Sequence, residues 1–340
     1  MRLVLSHHPR FRAAALEEAT ELIGAIEVLD NPDPAMTLVS GEGDAPVDWA
    51  GSVFIQHVAP ADVSTPLSGD RTDLALLVET WTDQRRAISS PFSVQCRRGA
   101  RSGGGGWATS TYSSRDVEVA VGSALQDEGA EADTDNPIQV ISVCLGESEA
   151  WSGLTAARDN IRRLGPLHRH YTSPWVVCRA ERKLTEAIEF WSLSASIRGA
   201  RAVDLGASPG GWSWVLAEAG AKVIAVDPGE LAVDVESHPS VDHRRQRAET
   251  VEIEAGSVDW LVNDMNIDPP DVLIALEAAH GWLKEEGRVV CTLKLASKTS
   301  ARLMLSDFVS RLSPSFALES ARHFYSNRQE VTLLLRRLPR

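Results

Sequence analysis

The sequence predicts an α/β protein whose C-terminal half is built around a mostly parallel sheet. A strand, a glycine turn, a helix and a second strand follow one another over residues 201–231, the unit from which parallel sheets are made. Later apolar runs at 258–265, 288–295 and 331–335 have the character of further strands. Asp227 lies about twenty residues beyond the turn, where nucleotide-binding α/β units place a carboxylate for ribose hydroxyls. Together these features indicate a site for an adenosyl group.

The elements follow in order from local patterns along the chain. Short runs rich in apolar and β-branched residues predict strands, and longer runs of helix formers predict helices. The expected strands are 3–5, 26–29, 37–40, 53–57, 91–96, 137–143, 202–205, 221–226, 258–265, 288–295 and 331–335. The expected helices are 11–23, 179–187 and 212–219, with others beginning near 74 and 114. Ser114 is the predicted N-cap of its helix, and residues 31–34 predict a turn.

The glycine turn narrows the class of cofactor. Its order, Gly-Ala-Ser-Pro-Gly-Gly over 206–211, breaks the G-x-G-x-x-G spacing of dinucleotide sites, and the Gly-Lys-Ser/Thr of a P-loop does not follow. The nine residues from Asp204 to Trp212 resemble the first motif of the FtsJ-like RNA ribose 2′-O-methyltransferases. This resemblance implies S-adenosyl-L-methionine as cofactor. It also implies a Rossmann-like methyltransferase domain at the C-terminus, with a mostly parallel seven-stranded sheet.

The same resemblance implies the cofactor contacts. Residues of the turn would lie along the methionine and ribose portions, and Asp227 would accept hydrogen bonds from the ribose hydroxyls. The implied cofactor-binding residues are Gly206, Ser208, Pro209, Gly210, Gly211, Trp212, Asp227 and Asp264. The sequence departs from the family after the third strand. There, the basic stretch from Arg244 to Arg247 occupies the region where related enzymes carry an acid near the adenine amino group.

Four charged residues match the Lys-Asp-Lys-Glu set of the family by position. Lys183 lies on a predicted helix, Asp264 and Lys294 lie near the ends of predicted strands, and Glu330 precedes another strand. The last-but-one strand of this fold runs antiparallel, so its start lies at the edge where the parallel strands end. We therefore expect the four side chains to converge on one cleft, where two charges of each sign offset the cost of burying them.

The resemblance implies catalytic roles for these four residues. A ribose 2′-hydroxyl is a poor nucleophile, and a general base accelerates its attack on a sulfonium methyl group by about 10²–10⁴-fold. Lys294 is the predicted base, and it must be neutral at the moment of attack, which a neighbouring cation favours and neighbouring carboxylates oppose. Asp264 is predicted to orient Lys294. Lys183 and Glu330 are predicted to position the ribose and balance the charge.

The residues before the catalytic domain predict two smaller α+β units and a linker. The first unit, with alternating short strands and a helix, is predicted to be ferredoxin-like. The second resembles a THUMP domain, a module found beside RNA-modifying catalytic domains, through the runs 92–94, 135–137 and 151–154. The predicted boundaries are 1–70, 71–165, 166–182 for the linker and 183–340 for the methyltransferase domain.

The distribution of charge bears on an RNA partner. The net charge of −13 argues against a protein that coats nucleic acid indiscriminately. In residues 91–183, however, 11 Lys and Arg balance 11 Asp and Glu. The arginines predicted to bind RNA are Arg97, Arg98, Arg101, Arg158, Arg162 and Arg163. The THUMP resemblance implies contacts with RNA shape and phosphates; the alternative is a set of solvated surface charges.

Several classes of protein and site are not indicated. The sequence lacks a run as long as a membrane span, a signal-peptide pattern at its start and cysteines at metal-ligand spacing, so we expect a cytoplasmic protein without membrane or metal partners. The order of units looks most like the ribosomal RNA large-subunit methyltransferase M family, which implies a cytidine ribose of large-subunit rRNA as target. A tRNA target and a non-catalytic RNA-binding factor that binds the cofactor are the alternatives. Asn263-Asp264-Met265-Asn266 lacks the Asn/Asp-Pro-Pro-Tyr/Phe pattern of a base N-methyltransferase.

Overall fold

The computed structural model describes residues 1–43, 47–98, 110–161, 177–295 and 300–339. The chain forms two compact units, Met1–Gly165 and Pro166–Arg340. Each unit has its own sheet structure and hydrophobic core. The finer predicted division of the first unit at residue 70 remains a prediction.

The first unit contains two four-stranded sheets, with strand orders β2-β3-β1-β4 and β5-β8-β7-β6. Its strands are β1 (Arg2–His7), β2 (Ile26–Asp33), β3 (Met36–Gly41), β4 (Ile55–Pro60), β5 (Val63–Pro66), β6 (Phe92–Arg98), β7 (Gln139–Leu145) and β8 (Glu149–Ala156). Its helices are α1 (Arg12–Ile23), α2 (Thr72–Thr82) and α3 (Ser114–Asp127). Short 3-10 turns cover Pro9–Phe11, Arg85–Ala87 and Ala157–Asp159. All strand pairs are antiparallel except β6 and β7.

Three details of the first unit differ from the prediction. The turn predicted at 31–34 begins later, because β2 continues through Asp33; Pro32 is tolerated there since β2 is an edge strand. The short strand β5 was not predicted. The N-cap of α3 is Ser113 and not Ser114, because Ser113 and Asp116 form a reciprocal capping box.

The second unit contains one seven-stranded sheet with the order β11-β10-β9-β12-β13-β15-β14. Its strands are β9 (Arg201–Leu205), β10 (Lys222–Val226), β11 (Val241–Arg244), β12 (Val258–Asn263), β13 (Leu283–Lys294), β14 (Phe316–Arg322) and β15 (Glu330–Arg337). Its helices are α4 (Glu181–Phe190), α5 (Ser194–Ile197), α6 (Gly211–Glu218), α7 (Val233–Glu236), α8 (Pro269–Ala279) and α9 (Ala301–Leu312), with a 3-10 turn at His280–Trp282. Only β15 runs against its neighbours. The predicted α/β class and the antiparallel last-but-one strand are confirmed.

The core of the second unit places the N-terminal part of α4 near the ends of the central strands. Leu184 of α4, Trp212 of α6 and Val262 of β12 belong to one buried cluster. Because Leu184 is fixed in this core, its neighbour Lys183 is held at the edge of the sheet where β12 ends. Within the described residues, no helix has both the length and the apolar character needed to cross a bilayer.

Candidate active site

A glycine turn connects β9 with α6 at the C-terminal edge of the sheet. Gly206 and Gly210 have φ angles of +72° and +111°, a region of backbone conformation that residues other than glycine rarely adopt. A Cβ atom on Gly206 would also collide with the side chain of Met265. The indole N–H of Trp212 donates to the backbone carbonyl of Ala180 at 2.9 Å. The turn is therefore joined both to the loop after β12 and to the start of α4.

Asp227 follows β10 directly and lies beside this turn. Its carboxylate accepts hydrogen bonds from the backbone N–H of Ser208 at 3.2 Å and of Gly229 at 2.6 Å. Ser208 and Pro209 are exposed, while Asp227 is partly exposed. A carboxylate acceptor next to a turn free of side chains at two positions fits an adenosyl ribose. The residues present therefore fit the predicted cofactor.

Asp204, the last residue but one of β9, is a buried acid beneath the turn. The hydroxyl of Ser213 donates to its carboxylate at 2.7 Å. Burial raises the pKa of Asp204 to about 7, and the charges of Asp264 and Asp227 act in the same direction. The sequence identified Asp204 only as the start of the glycine motif.

This buried acid makes the stability of the second unit depend on pH. Folded Asp204 keeps its proton up to about pH 7, whereas an unfolded aspartate loses it near pH 4. The folded state thus binds more protons between these values, and the free energy of unfolding should fall by about 1.4 kcal/mol per pH unit as the pH rises through them. In Asp204→Asn this contribution is absent. Denaturant unfolding of both proteins across this range measures the difference, and parallel pH profiles would contradict the raised pKa.

Lys183 lies between two carboxylates at the same edge of the sheet. Its ammonium nitrogen is 3.0 Å and 3.1 Å from the two carboxylate oxygens of Asp264, and 2.8 Å from Oε1 of Glu330. The hydroxyl of Thr292 donates to Oδ1 of Asp264 at 2.7 Å. Asp264 follows β12, and Glu330 begins β15. The predicted convergence on one edge thus brings three of the four charged residues into direct contact.

Burial and charge pairing act against each other on the pKa values of this cluster. Burial lowers the pKa of Lys183, but the Asp264 and Glu330 carboxylates outweigh it and raise the pKa above the ordinary lysine value. Burial raises the pKa of Glu330, but contacts with Lys183 outweigh it and lower the pKa. For Asp264, burial outweighs Lys183 and Thr292, so its pKa is raised. Lys183 is therefore held in its protonated form.

Lys294 lies next to this cluster without joining its ion pairs. It ends β13, directly opposite Glu330 in the register of β13 and β15, and it is partly exposed. Within the described parts of the chain, no ion pair joins Lys294 to Asp264 or Glu330, and Asp264 contacts Lys183 instead. Thr292, which the sequence reasoning missed, lies two residues before Lys294 on the same face of β13. Its polar side chain within the otherwise apolar run from Val289 to Leu293 was the available signal.

Glu181 fixes the helix that carries Lys183. Its carboxylate accepts from the backbone N–H groups of Val177 and Cys178, at 2.6 Å and 2.8 Å, immediately before the helix. An acidic residue in the first helical turn also complements the helix dipole. The position of Lys183 is therefore fixed by both the start of the helix and the buried Leu184.

The basic stretch after the third strand is engaged in local contacts. Arg244 pairs with Asp242 at 2.8 Å, and Arg245 lies 3.8 Å from Glu236. The ring of His243 bonds Glu236 through Nδ1 at 2.7 Å and contacts the backbone carbonyl of Asp227 through Nε2 at 3.1 Å. His243, which directly precedes this stretch, thus supports the position of Asp227.

The arginines predicted to bind RNA lie in the first unit. Arg97 and Arg98 end β6; the guanidinium of Arg98 donates to the carbonyl of Tyr112 at 3.0 Å and lies over its ring. Arg158 is 3.5 Å from Asp159. Arg101, Arg162 and Arg163 lie outside the described residues. RNA binding by these arginines stays a prediction. Among the described residues, no group of His, Cys, Asp and Glu is arranged to hold a metal ion.

The sheet order, the glycine turn and the acid after β10 together define the fold of an S-adenosylmethionine-dependent methyltransferase. Residues 176–312 match the family model described as FtsJ-like methyltransferase. This part of the chain is therefore similar to FtsJ-like methyltransferases over 176–312.

Several similar proteins are named Ribosomal RNA large subunit methyltransferase M. The protein of Aromatoleum aromaticum is 38% identical over 166 residues, covering 45% of this chain and 44% of its own. That of Halorhodospira halophila is 35% identical over 142 residues, covering 41% and 40%. That of Shewanella loihica is 31% identical over 237 residues, covering 65% and 64%. The first two matches span less than half of each relative. Among solved structures, TrmN from Thermus thermophilus aligns over 99% of both chains with 18% identity and a TM-score of 0.38, which is too distant to bear on function.

Proposed function

We propose that this protein is an S-adenosylmethionine-dependent RNA ribose 2′-O-methyltransferase that acts on a cytidine of large-subunit rRNA. The observation that carries the proposal is the contact of Lys183 with both Asp264 and Glu330 at the edge of the sheet where the glycine turn lies. The names of the similar proteins support rRNA as the target. The proposal places the protein in the cytoplasm, where this RNA is found.

The glycine turn and Asp227 would hold the cofactor. Gly206 and Gly210 provide a turn whose backbone a ligand can approach closely, and Asp227 provides an acceptor for ribose hydroxyls. When bound, S-adenosylmethionine supplies an electrophilic methyl group. Asp264 lies where β12 ends, so the ion cluster and the glycine turn share the C-terminal edge of the central strands.

The two lysines differ in their surroundings, and this difference supports different roles for them. Lys183 is paired with both carboxylates and keeps its proton, so it acts as a fixed cation that orients a ribose hydroxyl and stabilises negative charge developing on its oxygen. Lys294 takes no part in those ion pairs. It is therefore the lysine better suited to accept the hydroxyl proton. The hydrogen bond from Thr292 keeps Asp264 in place, and the ion pair with Glu330 keeps Lys183 in place.

Transfer of tritiated methyl groups to separated rRNA and tRNA fractions tests the choice of substrate. We expect label in the large-subunit rRNA and none in the tRNA. Label confined to tRNA would overturn the rRNA assignment while retaining RNA methylation. Cofactor binding without label in any RNA would overturn the proposed function itself.

A further inference from the structure

The connection between β14 and β15 is anchored to the same helix that carries Lys183. Glu186 of α4 accepts from the backbone N–H groups of Tyr325 and Ser326, both at 2.9 Å. Glu186 is only 3% exposed and lies three residues after Lys183, so the two side chains project from neighbouring positions on one helix face. The connection ends at Glu330, which itself contacts Lys183. Helix α4 therefore fixes this connection at both of its ends.

Two buried side chains hold the connection from inside. Phe324 is 2% exposed, and its ring centroid lies 5.6 Å from that of Phe190 and 5.1 Å from that of Trp191. Asn327 is also buried, and its side-chain oxygen accepts from the backbone N–H of Phe324 at 2.7 Å. These contacts determine the backbone path independently of the exposed side chains.

Tyr325, Arg328 and Gln329 are the exposed residues of this connection, and Tyr325 and Arg328 directly follow the buried Phe324 and Asn327. Tyr325 is 51% exposed, although it directly follows the buried Phe324. Arg328 is exposed, two residues before Glu330. Glu186, which binds the backbone of Tyr325, and Lys183, which contacts Glu330, are about one helical turn apart, roughly 5 Å along the axis of α4. An aromatic residue and a cationic residue are thus carried on a segment that is anchored to α4 and leads directly into Glu330 of the ion cluster.

We propose that Tyr325 stacks on a base of the substrate RNA and that Arg328 binds an adjacent phosphate. The inference rests on the proposed function, because it takes a nucleic acid to be the substrate bound at this edge. Stacking on an aromatic ring is available to every base, and binding costs less where the backbone that carries the ring is ordered beforehand. The bond from the backbone N–H of Tyr325 to Glu186 orders the backbone from which the ring projects, while Arg328 supplies the charge that a phosphate requires.

Binding of a short fluorescein-labelled single-stranded RNA by the full chain tests this inference. We expect Tyr325→Ala to weaken binding about tenfold or more, while Tyr325→Phe and Tyr325→Trp retain it. None of these substitutions removes the backbone N–H that binds Glu186. Leu318→Ala is the matched control, since Leu318 is an exposed side chain near the other end of β14. Arg328→Gln should lower the slope of log affinity against log salt by about 0.7.

Steady-state methyl transfer provides a second readout. Because Tyr325 would contact a base and not the reacting hydroxyl, Tyr325→Ala should raise the KM for RNA more than it lowers kcat. Equal RNA affinity in Tyr325→Ala and the unsubstituted chain would overturn this inference alone, leaving methyl transfer intact. An equal loss of affinity in Tyr325→Ala and Tyr325→Phe would also overturn stacking, because it would assign the effect to the hydroxyl. Failure of the unsubstituted chain to methylate RNA would overturn the proposed function.

Discussion

Replacing Lys294 with alanine is expected to reduce methyl transfer by about 10²–10⁴-fold, the usual contribution of a general base. The change removes a side chain at the end of β13 that takes no part in the Lys183 ion pairs, so folding and the glycine turn should be unaffected. Single-turnover transfer of labelled methyl groups to RNA, together with calorimetric measurement of cofactor affinity, separates chemistry from binding. Affinity for the cofactor should remain within a few-fold of the unsubstituted protein.

A matched control for Lys294→Ala is Lys222→Ala. Lys222 is an exposed lysine at the beginning of β10, at the opposite edge of the sheet from the ion cluster. Its substitution should leave both methyl transfer and cofactor affinity unchanged. Turnover by Lys294→Ala close to that of Lys222→Ala would remove Lys294 from the role of base.

Replacing Lys183 with methionine is expected to lower the free energy of unfolding by about 3 kcal/mol at neutral pH, as well as to abolish methyl transfer. The Lys183, Asp264 and Glu330 side chains are 18%, 16% and 9% exposed, so the substitution leaves two carboxylates mostly buried without their cation. Part of the lost stability should return as the pH is lowered, because protonation neutralises the two carboxylates. Denaturant unfolding at neutral and acidic pH measures both effects.

Lys284→Met is the matched control for this loss of stability. Lys284 pairs with Asp259 at 2.6 Å, a shorter contact than those of Lys183, but the two side chains are 50% and 32% exposed. Exposed pairs contribute about 0.2–1 kcal/mol, so this substitution should have little effect. Similar losses in the two variants would show that burial of the Lys183 cluster does not determine its energetic contribution.

The local sequence carried enough information to predict the glycine turn and the edge on which the site lies. The nine residues from Asp204 to Trp212 specify the turn, and the ends of parallel strands necessarily meet at one edge of a sheet. The antiparallel direction of β15, implied by the family resemblance, brought Glu330 to that edge. These inferences needed only chain order and strand direction.

Pairing within the site could not be predicted, because it depends on side-chain reach across elements. Lys294 lies opposite Glu330 in strand register, yet Glu330 contacts Lys183, which approaches from a helix. The bonds from Glu186 to the β14–β15 connection join residues about 140 positions apart in the chain. No local pattern marks such a partner.

Two local errors also have physical reasons. Val63–Pro66 is short and ends in proline, so it is a strand only because β8 supplies a neighbour for it. Ser113 and Ser114 are equally good N-caps by residue type, and the spacing to Asp116 decides between them. Residue propensity alone does not decide either case. Pairing with β8 makes Val63–Pro66 a strand, and the reciprocal bonds with Asp116 make Ser113 the N-cap.

The position of the transferred methyl group tests the central claim most directly. Ribose 2′-O-methylation removes the hydroxyl that alkali needs to cleave the adjacent phosphodiester, whereas methylation of a base leaves that hydroxyl free. We predict that, after alkaline hydrolysis of RNA labelled by the unsubstituted chain, tritium is found in alkali-resistant dinucleotides. Tritium in mononucleotides would place the methyl group on a base and contradict the assignment of Lys183, Asp264, Lys294 and Glu330 to a ribose hydroxyl.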